Sequence, residues 1–221
     1  KLELDTASDY YKRAFELNPK EINALYNLGI TEGKRNDFNS SIDWYSKVLE
    51  IQPEHYNALN NLGTMYIETL DLQAAEKSFR SAIHFNPTFP EAHNNLGHVL
   101  VLRGKKGAAE CFKEAIINKP DFKDAYLNLA ATLESISFAS YDPDMAEILL
   151  NLVKQKNLTK PRAISNAIYS LIKLNPDFAN ILSINQNKDL GEDLNDVLLS
   201  LSSIDLFVVF IALCPITDLQ I

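Results

Sequence analysis

Three Asn-Leu-Gly triplets, Asn27-Leu28-Gly29, Asn61-Leu62-Gly63 and Asn95-Leu96-Gly97, recur at an interval of 34 residues, and Asn128-Leu129-Ala130 follows after 33. Prolines keep the same beat at Pro19, Pro53, Pro87 and Pro120. Between triplet and proline runs a second apolar pattern: Phe38, Ser41, Tyr45 and Val48 in one copy, Leu72, Ala75, Phe79 and Ala82 in the next. Spacings of three and four residues put these side chains on one face of a helix. Each repeat therefore reads as two amphipathic helices, the second stopped before a proline. Such a pair cannot bury its apolar face alone, so neighbouring pairs must stack to make a continuous core. Gly29, Gly63 and Gly97 carry no Cβ and let helices approach closely there. No strand pattern is present anywhere in the sequence.

These residues and their 34-residue period resemble the tetratricopeptide repeat family over about residues 1–133. The resemblance implies an all-α fold, a right-handed α–α superhelix whose first helices line a concave groove. Ala7, Tyr11, Ala14 and Pro19 match the second helix of an earlier repeat, so the chain is expected to begin inside an array. The copy at 90–120 is one residue short near Gly104-Lys105-Lys106-Gly107, and the loss is placed in the turn between its helices. The expected array spans 1–138, closing with the first helix of another repeat from Lys123. Residues 139–221 are expected to form an irregular helical extension or a linker towards a downstream domain. Within it, Asp142 and Pro143 are suited to start a helix. Further helices are expected from Thr159-Lys160-Pro161 to before Pro176, over 177–184, over 191–201 and over 204–213. The last is apolar nearly all round, which predicts burial against the 192–202 helix and a homodimer through these C-terminal helices. Phe207 to Gln220 is similar to a region in bacterial proteins that join tetratricopeptide repeats to a methyltransferase-type domain. That similarity implies a second reading: the substrate-recruiting N-terminal part of a larger transferase, for protein methylation or glycosylation.

Charge and composition narrow the function. With 21 Lys+Arg against 29 Asp+Glu the net charge is −8, the wrong sign for a general nucleic-acid binder. Lys105-Lys106 is the densest basic spot. The longest apolar run, Leu206 to Leu213, is too short to cross a bilayer, and the N-terminus lacks a signal-peptide layout. Two cysteines, Cys111 and Cys214, cannot make a disulfide framework or a metal knuckle. The expected location is cytoplasmic, with no membrane partner. Of His55, His84, His93 and His98, the nearest two are five residues apart, which is not the spacing that sets two metal ligands on one helix face. Gly-rich nucleotide turns, a Gly-Lys-Ser/Thr loop and His-Glu-x-x-His are all missing from the sequence. No catalytic residue, metal or cofactor is assigned, and the reading is a non-enzymatic scaffold that binds protein or extended peptide.

The candidate groove is set by amides. Asn27, Asn61, Asn95 and Asn128 hold one register in successive first helices and should line the concave face, with Asn60 and Asn94 in a second row and Tyr26 and His98 beside them. Asparagine is a mediocre helix former, costing about 0.5 kcal/mol against alanine. Its side chain offers a donor and an acceptor, the complement of a peptide backbone. The row resembles the asparagine ladder of O-GlcNAc transferases, which implies binding of extended peptides through their main chain. The competing reading is that asparagine is simply common at this place in the repeat. If the row faces the groove, its replacement by alanine should cost no stability. A carboxylate clamp, which needs lysine and arginine on the same helices, does not fit.

Overall fold

A computed structural model describes residues 2–133, 136, 138–154 and 164–185. The chain divides into two compact units, Lys1–Pro120 and Asp121–Ile221. The first contains α1 (Leu2–Leu17), α2 (Ile22–Lys34), α3 (Phe38–Ile51), α4 (Tyr56–Glu68), α5 (Leu72–Phe85), α6 (Pro90–Leu102) and α7 (Ala108–Asn118). Each packs on the next in sequence, and the first helices of the repeats also touch: α2 meets α4, and α4 meets α6. This is a stack of antiparallel helix pairs, all-α as the repeat pattern predicts.

What locks each pair is a glycine against a ring. A Cβ built on Gly29 would lie 2.6 Å from Tyr45, one on Gly63 2.6 Å from Phe79, and one on Gly97 2.6 Å from Phe112. All three rings are buried, with Phe79 at 0% exposure. The glycine thus lets the second helix seat a large aromatic directly on the backbone of the first. Leu25, Leu28, Leu62, Leu96, Val48 and Ala82 complete the buried seams.

The turn between paired helices repeats as well. Asn36, Leu70 and Gly104 all take positive φ, near +63° in the first two and +62° in the third. Asp37 and Asp71 follow and cap α3 and α5, accepting from the Ser40 and Ala74 N–H groups at 3.2 and 2.9 Å. The third copy departs after Gly104. Gly107, at φ +96°, replaces the aspartate cap, and α7 begins only at Ala108. The missing residue lies in this turn, so the Gly97–Phe112 contact survives the deletion.

The second unit holds α8 (Lys123–Leu133), α9 (Pro143–Lys154), α10 (Ser165–Leu174) and α11 (Pro176–Asn185). The array expected from the repeat pattern extends to 138, so its last helix, α8, belongs to this unit. Asp142 caps α9 as expected, accepting from the Met145 N–H at 3.0 Å. Asn175 caps α11 through the Asp177 and Phe178 N–H groups at 2.8 and 3.2 Å. Leu129, Leu149, Leu152, Ile168 and Leu171 are buried. The helices expected over 191–201 and 204–213, Cys214, the linker resemblance and the homodimer surface all lie outside the described residues. Among the described residues no helix is long and apolar enough to cross a membrane.

Candidate peptide-binding groove

The contacts of α2 with α4 and α4 with α6 bring the Asn-Leu-Gly registers of the first unit together. Within α4, Leu62 and Gly63 turn toward α5 and the core, which carries Asn60 and Asn61 round to the neighbouring first helices. There the amides bond to one another. Asn61 Nδ2 donates to the Tyr26 hydroxyl at 3.0 Å, and Asn95 Nδ2 donates to Asn60 Oδ1 at 3.0 Å. Both bonds span 35 residues, one repeat plus one position. The same stitch therefore ties α4 to α2 and α6 to α4. Asn60 Nδ2 lies 3.5 Å from Asn61 Oδ1, so the amides from Asn95 to Tyr26 form one chain.

Asn61 Nδ2 also donates to the Tyr45 hydroxyl at 3.3 Å. Tyr45 reads from the sequence as core alone. The signal for a second role is that Tyr45 carries a hydroxyl where the equivalent positions hold Phe79 and Phe112. Burial pushes its phenol up to about 12 and raises that of Tyr26 in the same direction, so both keep their protons at physiological pH. Tyr26 stacks on His55 with ring centroids 5.0 Å apart. His55 Nδ1 accepts from the Ala58 N–H at 3.2 Å, capping α4. Tyr56 and Phe89 meet edge to face at 5.3 Å. The sequence patterns gave no role to His55 or to this aromatic pair.

The expected second row is not an open one. Asn60 and Asn94 are buried, at 8 and 9% exposure, because they sit where consecutive first helices touch. Asn27, Asn61, Asn95 and Tyr26 are half-buried, and His98 is exposed. Asn27's amide makes no hydrogen bond among the described residues; its backbone carbonyl accepts from Thr31 Oγ1 at 2.7 Å. In the second unit, Asn128 is half-buried on α8, with its carbonyl accepting from Thr132 Oγ1 at 2.8 Å. The face built by α2, α4 and α6 at these registers presents amides, hydroxyls and the His55 and His98 imidazoles. It offers hydrogen bonds and, at these registers, no lysine or arginine to clamp a terminal carboxylate. Among the described residues no group of three His, Cys, Asp or Glu side chains is placed to hold a metal ion.

Comparison with known proteins bears on the fold. Residues 26–90 match the tetratricopeptide repeat family. Among solved structures, YrrB, described as a TPR protein with an unusual peptide-binding site, is similar over 94% of either chain, with TM-score 0.59 and 17% identity. MamA is similar over 77% of this chain and 90% of its own, with TM-score 0.56 and 22% identity. A mutant of the Thermobaculum terrenum O-GlcNAc transferase is similar over 61% of this chain but only 26% of its own, with TM-score 0.51 and 27% identity. These likenesses are likenesses of fold. No curated protein sequence matches the chain.

Proposed function

We propose, from the match of residues 26–90 to the tetratricopeptide repeat family, that the chain is a protein-binding scaffold that takes an extended peptide segment along its amide-lined first helices. The observation that carries this reading is the chain of amides from Asn95 to Tyr26. It spends part of each side chain's hydrogen-bonding capacity and leaves the rest unused among the described residues. Both Asn61 amide hydrogens go to tyrosines, which leaves Oδ1, only loosely approached by Asn60, to accept from a peptide N–H. Asn95 keeps one N–H and its Oδ1, since only one donor is used by Asn60. Tyr26 accepts from Asn61 and retains its own hydrogen to donate. Asn27 retains its whole amide. Alternating donors and acceptors of this kind match the N–H and C=O groups of an extended strand, which carry no sequence identity.

His98 and Tyr26 flank the proposed line in the first unit, and Asn128 is proposed as a separate amide contact on α8 of the second unit. Asn60 acts as a buried stitch that holds Asn95 in place, and Asn94 is buried at the equivalent position one repeat on. The proposed partner is protein or peptide rather than nucleic acid or membrane, and the proposed setting is cytoplasmic, without cofactor or catalysis. A second reading, the recruiting part of a larger transferase, is supported by the 27% identity to a segment of the O-GlcNAc transferase. Selection of peptides from a displayed random library against the full chain tests the main proposal. Binders should be uncharged at their core and lose affinity on Asn27→Ala/Asn95→Ala, by up to about tenfold per lost hydrogen bond. Binders indifferent to both substitutions would refute it.

A further inference from the structure

The second helices carry a different chemistry. A cleft of about 550 Å³ lies between α5 and the α6–α7 turn, lined by Glu76, Lys77, Arg80, Phe85, Arg103 and Lys105 among others. Glu76 is its one carboxylate and is nearly buried, with 10% of its side chain exposed. Both of its oxygens are taken. Oε1 accepts from Arg80 Nε at 3.0 Å; Oε2 accepts from Lys105 Nζ at 2.8 Å and from Arg103 Nη1. One negative charge shared among three cations leaves a surplus of two positive charges. Lys77 adds a third and has no ion-pair partner among the described residues. Glu110 on the neighbouring α7 offers no relief, being paired with Lys113 at 2.7 Å.

We infer that this cleft is a second docking surface, separate from the amide-lined face, and that it takes an acidic segment of a partner protein. Three observations favour that occupant. The chain as a whole carries −8, so a cationic island on it is a local exception that attracts and orients a negative partner segment. The buried Glu76 fixes Arg103 and Arg80 while spending only part of their five-donor forks, which leaves pre-placed N–H groups for a carboxylate. Phe85, 45% exposed, lies at the same cleft and provides apolar surface for a side chain beside the acidic ones. A nucleic acid fits less well, because the positive surface extends over a single cleft and the remaining surface is net negative. The sequence gives little sign of this site. Arg80 and the 103–105 turn are 23 residues or more apart and meet only because α5 packs on α6.

Fluorescence anisotropy with the full chain and a short labelled peptide of alternating Asp, Glu and Phe tests the inference, beside its Asn/Gln/Phe analogue and a short DNA duplex. The acidic peptide should bind at low ionic strength and weaken as salt rises. Lys77→Gln/Arg80→Gln should weaken it about tenfold or more, the loss expected for one charge-assisted hydrogen bond. That variant leaves Arg103 and Lys105 on Glu76. Ser81→Glu, which adds a negative charge to the cleft without removing a cation, should weaken binding likewise with an unchanged melting curve. The inference is overturned if the amide analogue binds as well as the acidic peptide, if the duplex binds more tightly than the peptide, or if both variants bind like the parent.

Discussion

Alanine in place of Gly63 sets two known effects against each other, and the structure decides between them. Glycine in mid-helix is worse than alanine by about 1 kcal/mol, so on propensity alone Gly63→Ala should stabilise α4. The new Cβ, however, would stand 2.6, 2.8 and 2.9 Å from Cε1, Cζ and Cδ1 of Phe79, where ordinary contacts begin at 3.4 Å. Phe79 is 0% exposed and cannot swing its ring into solvent. The paired helices must separate, or the ring must leave its rotamer. Overpacking of this kind costs about 1–3 kcal/mol, and three simultaneous short approaches to a rigid ring place it in the upper part of that range. The net expectation is a loss of about 1–2 kcal/mol, or a melting temperature lower by about 2–8 °C for a chain of this size. Phe79→Leu removes the offending ring atoms. In that background Gly63→Ala should cost much less, giving a coupling of about 1 kcal/mol or more in a double-mutant cycle followed by circular dichroism in urea. Equal or greater stability of Gly63→Ala, or strictly additive effects, would refute the claim that glycine-on-ring contact locks the helix pairs.

Other outcomes follow from single sites. Leu70 is 83% exposed and held at φ 63°, so Leu70→Gly should relieve about 1–2 kcal/mol of left-handed strain, less about 0.5–1 kcal/mol of added chain entropy, and raise the urea midpoint slightly. Asn61→Ala should cost about 1–2 kcal/mol by stripping a partner from the buried Tyr45 hydroxyl, whereas Asn27→Ala should be neutral or gain up to about 0.5 kcal/mol; thermal melts of the two variants separate these effects. The cations around Glu76, Lys105 first, lower its pKa in the folded chain, so its contribution to stability is present above the ordinary carboxylate range and is lost as pH falls through the lowered folded value. Denaturation measured against pH should show that acid loss in the parent and a flatter profile in Glu76→Gln. Calorimetry of this chain with S-adenosylmethionine or a sugar nucleotide should register no micromolar binding, and a clear isotherm with either would overturn the scaffold-only reading.

The helix pairs were legible because two signals agreed: a fixed period of Asn-Leu-Gly and proline, and apolar spacings of three and four. The turn that absorbs the one-residue deletion was legible too, since Gly104 and Gly107 are the residues that tolerate its backbone. The state of the asparagines was not. A register tells which residues share a face, but not how closely neighbouring first helices approach, and that distance decides whether an amide is open or stitched. Asn60 is stitched to Asn95, Asn94 is buried at the equivalent place, and Asn61 is both bonded and half-exposed. This also revises the expectation that alanine there costs nothing, because Asn61 holds two phenols. The Glu76 cluster was invisible for another reason. Its members come from helices that meet only in the stack: Arg103 and Lys105 stand in a visibly basic stretch, but nothing local joins them to Glu76 and Arg80.

The central claim is that the amide-lined face reads a peptide's main chain. The direct measurement is the affinity of a library-selected peptide against two relatives of it: one with alternate backbone nitrogens methylated, one with its side chains permuted at constant composition. Methylation removes the N–H groups that Asn61 and Asn95 oxygens would accept from, and should weaken binding about tenfold or more, while permutation should change it little. If the permuted peptide is lost and the methylated one still binds, recognition runs through side chains and the claim is wrong.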